Sequence, residues 1–419
     1  MRTLETRYEF PTYTTRAEWE ARRRQLRAHL QVVLGLDPAW PAPPFDARYG
    51  ELRSYEDFTV QPVWLQTLPG FYVGGNLFRP RGDASPHAAV LNPHGHAKNG
   101  RFHQGEDLAT LRRCATLAKL GYVAYAWDML AYGDTYQLPH IFESARAKLW
   151  GLTPLGVHVH NARRAFAFLA SLPDVDPARI ACTGESGGAG QTFFLAALEP
   201  RLAAAAPVCM ISAHYQGGCR CEHAPGLRTD TYNVEIAAMF APKPMLVVST
   251  AGDWTCNTPE VELPDIRRIY ALYGAEDQLE GFHGPWPHNY NAPSRQAVYA
   301  WLRRVLPVES AADAAAEPPA GAAAAKPAGP PAPVAEPELS ADEVASWRAE
   351  RALLPAGLRT GDDLLAELIA CRRTAASGER EETRRRLRHV LGLWRLSRPD
   401  VGGGEPATDR VAAVERVLL

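Results

Sequence analysis

Gly184-Glu185-Ser186-Gly187-Gly188 sets a serine hydroxyl among glycines in the pattern G-x-S-x-G. The pentapeptide alone is common, but its surroundings narrow it. A strand-like run, RIACT at 179–183, leads in, and a helix-like run, QTFFLAAL at 191–198, leads out. Strand, tight turn and helix are the setting in which a serine sits on a strained backbone with its hydroxyl clear of the sheet. Small neighbours are required because the turn folds the chain tightly on itself. The other reading is a glycine-rich helix start that merely packs close to a sheet. A serine hydroxyl is a weak nucleophile, so it needs a base, and the base needs a carboxylate to orient it. After such a turn the chain order is serine, acid, histidine.

Both partners can be found downstream. Asp253 follows the apolar run PMLVVST at 244–250 and is the expected acid, with Glu260, Asp265 and Asp277 as rivals. His288, in Pro287-His288-Asn289-Tyr290, precedes the last helical pattern of this region and is the expected base, with His283 as its rival. Negative charge developing on a substrate oxygen needs preorganised donors. The Gly187 amide is one expected donor. The other is the backbone of Gly95 or His96, in Asn92-Pro93-His94-Gly95-His96.

Other residues could bind rather than react. His94 and His96 stand two apart, but no acidic or cysteine residue lies near them in sequence, and no metal is expected there. Cys219-Arg220-Cys221-Glu222-His223 offers three crowded zinc ligands where four are needed, so a loop at the rim of the site is expected instead. Glu222 and Arg228 are then candidates for contact with a polar substrate, or ordinary solvated charges. Trp254, Trp286 and His94 are further candidates for substrate contact. Trp127 and Tyr290 share the aromatic character suited to sugar rings, yet all four aromatics are equally at home in a core. Asp128 and Asp134 read as loop-fixing.

These residues need a scaffold. Tyr55–Phe78 predicts one or two strands turning at Pro69-Gly70. Ala88–Asn92, Gly121–Trp127, Arg179–Thr183, Ala203–Met210 and Pro244–Thr250 are apolar runs of strand length. Helical spacing fills Leu108–Leu120, Val157–Leu172, Gly184–Leu198, Asp265–Tyr273 and Arg295–Leu306. Strands alternating with helices predict an α/β fold with a doubly wound, mostly parallel sheet. Chemistry in such sheets gathers at the carboxyl ends of the strands, where the candidates fall.

The chain has 419 residues, enough for one large domain and something smaller. Four regions are expected: a helical segment at 1–49, with a helix over Trp19–Leu36; the α/β unit at 50–308; an Ala/Pro-rich linker at 309–339; and a helical region at 340–419. Arg22–Leu36 (RRRQLRAHLQVVLGL) is echoed by Arg384–Leu393 (RRRLRHVLGL). Either two basic amphipathic helices look alike, or the last residues, Val411–Leu419, begin a second, truncated unit. The formal net charge of −2 provides no global field for nucleic acid or membrane. Seven cysteines in so long a chain are not a disulfide framework. The charged N-terminus has no apolar core of the secretory type, so a cytoplasmic protein is expected. An upstream start site would turn that into a secreted or periplasmic one.

With these residues in view, the chain resembles the α/β-hydrolase superfamily, and within it the bacterial acetyl xylan esterase-like hydrolases. The resemblance covers about residues 50–306. It rests on NPHGH at 92–96, WDMLAYGD at 127–134, TGESGG at 183–188, PVCM at 207–210, QGGCRCEHAPGLR at 216–228, PKPMLVVSTAGDWT at 242–255 and PHNYNAPSRQAVYAWL at 287–302. It implies a cofactor-independent serine esterase removing a small acyl group, such as acetyl, from a carbohydrate or small-molecule ester. A peptidase or amidase with the same triad is the alternative, and a non-catalytic binding protein on the same fold is a third. Glucuronoyl esterases share the layout but carry an arginine after the nucleophile, where this chain has Gly187. Prolyl-oligopeptidase-like enzymes carry a β-propeller, for which the roughly 50 preceding residues are too few. Oligomeric state is not legible.

Overall fold

Short apolar runs become the centre of one ten-stranded sheet. The computed structural model describes residues 6–36, 40, 42–82, 86–308, 333–348 and 353–376. The strands are β1 (Arg48–Tyr49), β2 (Arg53–Ser54), β3 (Phe58–Leu68), β4 (Phe71–Pro80), β5 (His87–Leu91), β6 (Val123–Trp127), β7 (Val175–Glu185), β8 (Ala204–Val208), β9 (Met245–Gly252) and β10 (Leu279–Pro287). Their spatial order is β1-β3-β4-β6-β5-β7-β8-β9-β10, with β2 beside β3. From β6 to β10 the pairings are parallel, and those among β1 to β4 and of β4 with β6 are antiparallel. This is the doubly wound, mostly parallel sheet that the sequence predicts. Residues of β6 and β8 are buried throughout because helices cover both faces.

The helices are α1 (Arg16–Val33), α2 (Thr110–Lys119), α3 (Ala145–Leu149), α4 (Pro154–Leu169), α5 (Gly187–Leu198), α6 (Asn233–Ala238), α7 (Glu262–Ala271), α8 (Ala292–Val305), α9 (Ala341–Arg348) and α10 (Gly361–Ala376). Thr15 opens α1 with a capping box: its hydroxyl accepts from the Glu18 amide, and the Glu18 carboxylate accepts from the Thr15 amide. The helix then buries Trp19, Leu26 and Leu30 in the same core as α4, α5, α6 and α7. A second core, built by α2 and α8, covers the other face. Each fully buried large apolar side chain contributes roughly 1.5–3 kcal/mol.

Residues at the end of the expected linker and beyond it also pack onto this body. Val344 and Trp347 of α9 join the second core, and Leu364, Leu365 and Leu368 of α10 join the first. Arg295 Nε donates to Glu336 at 2.6 Å, and Arg372 Nε donates to the Trp150 carbonyl at 3.1 Å. Residues 309–332, the echo at 384–393 and the stretch 411–419 with its truncated-unit reading lie outside the described residues. Among the described residues no helix is long and apolar enough to cross a membrane.

One element corrects the sequence reading. Leu279–Pro287 is an edge strand, β10, absent from the runs read as strands, and His283 stands on it. LEGFHGPWP has too few apolar residues and too many Gly and Pro to announce a strand.

Candidate active site

The turn between β7 and α5 holds Ser186 at φ 55°, ψ −123°. A non-glycine residue reaches that region only when its surroundings impose it. Gly184 and Gly188 are imposed by a neighbour. A Cβ on either would come within 2.4 Å of the Pro93 carbonyl oxygen, in the loop after β5. A Cβ on Gly187 would lie 3.0 Å from His96 Cε1, so the helix start and that loop stand side by side. Among the described residues the Ser186 hydroxyl has no hydrogen bond.

Asp253 and His288 meet at 2.7 Å between Oδ2 and Nδ1. Asp253 is fixed by its other oxygen, which accepts from the Thr255 amide at 2.6 Å and the Thr255 hydroxyl at 2.5 Å. Desolvation pushes the Asp253 carboxyl up, but the bonds from His288 and Thr255 outweigh it and hold the group below its ordinary value. The Asp253 side chain is 2% exposed and that of His288 29% exposed, so the imidazole keeps an edge toward solvent. Trp254 lies between two rings, with Tyr215 at 4.5 Å and His288 at 4.4 Å between centroids. Of the rivals, His283 Nδ1 pairs with Ser249 Oγ at 2.9 Å, Asp265 pairs with Arg268, Asp277 accepts from Gln278, and Glu260 is exposed.

The two expected loop donors part company. The Gly95 amide donates to Glu185 Oε2 at 3.2 Å, so it is not available as an oxyanion donor, a correction to the sequence reading. Glu185 is fully buried, and desolvation raises its pKa. The His96 amide has no hydrogen bond among the described residues. Gly187 begins α5, where an amide has no partner one turn earlier.

His94 is a second correction. It is fully buried; its Nδ1 donates to the Gly95 carbonyl at 2.6 Å and its Nε2 accepts from the Met129 amide at 3.1 Å. Burial pushes this imidazole down to about 4, so it is a neutral pin between two loops rather than a substrate contact. Trp286 folds back over Gly284 and beside Phe282 on its own strand. Trp127 and Tyr290 are core residues, bonded to Gln191 and Thr183. Asp128 and Asp134 both pair with the fully buried Arg101, which fixes the loop after β6. Glu222 and Arg228 do reach the site's edge. They line a small cavity with Gly187, Met129, Met210 and Cys221. The Glu222 carboxylate accepts from the Cys219 amide at 3.0 Å.

The cysteine loop holds the largest departure. His223 turns away and pairs with the Gly217 carbonyl at 3.1 Å. In its place His96 and His140 approach, with Nε2 of His96 3.1 Å from Cys221 Sγ and Nε2 of His140 3.3 Å from Cys219 Sγ. Cysteines thus stand beside His96 although none is near it in sequence, because sequence distance is a poor guide to which loops meet above a parallel sheet. His140, Tyr215, Thr255 and Glu185 were not singled out from the sequence. Glu185 ends β7 and Thr255 closely follows β9, and a place at a strand's carboxyl end is the signal that could have found them; His140 and Tyr215 lie deeper in their loops and carry no such signal.

No protein-family model matches the chain. The candidate hydrolase YtaP of Bacillus subtilis is 26% identical over 261 residues, 58% of this chain and 84% of its own length. Among solved structures, the methylesterase BT1017 superposes with a TM-score of 0.69 at 29% identity, over 88% of this chain and 78% of that one. That span exceeds residues 50–306. A candidate acetyl xylan esterase from Bacteroides fragilis shares the fold at a TM-score of 0.56 and 16% identity, over 66% and 79% of the two chains. With its doubly wound sheet, its strained serine turn and these likenesses, the chain has the α/β-hydrolase fold, and its structural neighbours include esterases.

Proposed function

We propose that the chain is a serine carboxylic-ester hydrolase that removes a small acyl group from a carbohydrate through an acyl-enzyme. The backbone of Ser186 carries the reading, since a strained non-glycine residue at a strand-to-helix turn is the way a nucleophilic hydroxyl is presented. His288 Nε2 takes the hydroxyl proton as Ser186 Oγ attacks the ester carbonyl, and Asp253 steadies the imidazolium through Nδ1. The amides of Gly187 and His96 stabilise the oxyanion. His288 returns the proton to the departing alcohol. A water molecule, deprotonated by His288, then releases the acid and restores Ser186.

The acetyl xylan esterase-like motifs favour acetyl as the acyl group. The likeness to a methylesterase favours a second reading, in which the carbohydrate supplies the acid and methanol leaves. Purified protein and its Ser186→Ala variant should be compared on p-nitrophenyl acetate, longer-chain esters, acetylated xylan and methyl-esterified polyuronates. Loss of about four orders of magnitude or more in kcat for the variant is the expected result. The preferred polysaccharide then separates acetyl from methyl ester. Equal, feeble rates for both proteins on every ester would sink the proposal and turn attention to peptide substrates.

A further inference from the structure

We propose that His96, His140, Cys219 and Cys221 hold a zinc ion that ties together the loops after β5, β6 and β8. Their four ligand atoms lie within 4.8 Å of one another. Zinc bonds of about 2.0–2.1 Å to nitrogen and about 2.3 Å to sulfur make a tetrahedron with edges of roughly 3.3–3.8 Å. The His96–Cys221 and His140–Cys219 separations, 3.1 and 3.3 Å, are within a few tenths of an ångström of such edges.

The donors suit the ion. Two thiols with two imidazoles are a soft-to-borderline set that selects zinc over magnesium or calcium. The orientation of His140 is a separate observation. Its Nδ1 donates to the Leu130 carbonyl at 3.0 Å, which leaves the Nε2 lone pair facing the cluster. Metal-bound histidines are held by that kind of bond on their second nitrogen. Cys219 is fixed through its amide by Glu222. Both cysteines are free thiols. Cys221 is buried and His96 exposed, so the cluster is anchored at one end and open to an entering ion at the other.

Four protein ligands close the coordination sphere, so the ion acts as a brace rather than a source of hydroxide. The brace bears on catalysis through His96, whose side chain is a ligand and whose amide is the proposed oxyanion donor. That last link rests on the esterase reading, but the metal site does not.

The rival account is a pair of S–H···N hydrogen bonds with no ion. The full chain, purified without chelator, should be assayed for bound metal, then stripped and titrated with cobalt(II). One zinc per chain is expected, followed by the visible bands of tetrahedral cobalt and a thiolate-to-cobalt charge-transfer band. Cys219→Ser and Cys221→Ser should each lose the charge-transfer intensity and the stoichiometric zinc, while Cys371→Ser keeps both. A wild-type chain that binds neither ion stoichiometrically, or a cobalt spectrum lacking thiolate character, overturns the proposal even if the cysteine variants fail to fold. Unchanged binding in both cysteine variants overturns it too. An inactive protein that still binds zinc would defeat only the esterase reading.

Discussion

Two clusters stand at the carboxyl edge of the sheet, and they are built on opposite plans. Asp253 and His288 form a single charge-assisted hydrogen bond, with the acid sealed in and the imidazole edge left open. Thr255 and Trp254 hold that pair from two sides. The histidine–cysteine cluster has no carboxylate among its four donors and draws them from three loops. The first arrangement keeps a proton acceptor free to work. The second surrounds a point in space. Proximity to the serine therefore does not make residues partners in its chemistry, and the two clusters should respond differently to substitution.

The sharpest way to break this contrast is through the acid. Asp253→Asn preserves shape but removes the charge that selects the imidazole tautomer, and kcat should fall by about 10³–10⁴. Zinc content, measured on the same sample, should not change. A parallel loss of metal would mean that the two clusters are one. Trp254→Ala should act through His288 without removing it: kcat falls roughly ten-fold to a hundred-fold, KM hardly moves, and Trp254→Phe restores most of the rate. A rise in KM with kcat intact would make Trp254 a substrate contact instead.

Acid titration sharpens the comparison from another side. The Asp253 carboxyl is held below its ordinary value, so its stabilising contribution is complete above an unfolded value of about 4 and is lost as pH falls through the folded one. Urea unfolding should show Asp253→Asn less stable than wild type near neutrality, with the gap closing below about pH 4. A gap that persists in acid would assign the loss to packing. Smallest of all, Thr15→Ala removes a helix cap far from either cluster. It should cost about 1 kcal/mol by denaturant titration, with kcat and metal content unchanged.

The contrast also explains what the sequence revealed. The core strands were legible because AAVLN, GYVAYAW and PMLVVST are apolar runs that only a covered sheet can use. Ser186, Asp253 and His288 were legible because each follows a strand in a fixed order. Gly95 was misjudged because the partner of its amide, Glu185, lies 90 residues away. His96 and Cys221 are 125 residues apart, and His140 comes from a third loop. Spacing rules for metal ligands assume neighbours in sequence, which a sheet with crossing connections does not supply. The strand β10 was missed for a different reason, as an edge strand with an exposed face has no apolar run to mark it.

The Pro93 carbonyl, pressed against both Gly184 and Gly188, has a consequence for how such chains recombine. It acts as a gauge that admits the serine turn only when both glycines are bare and only when the facing loop keeps its present distance. A hybrid whose first portion, up to about residue 100, came from one relative and whose serine turn came from another would inherit two surfaces cut to different clearances. Junctions within 1–49 leave that fit untouched. These two stretches should therefore be exchangeable only as a pair.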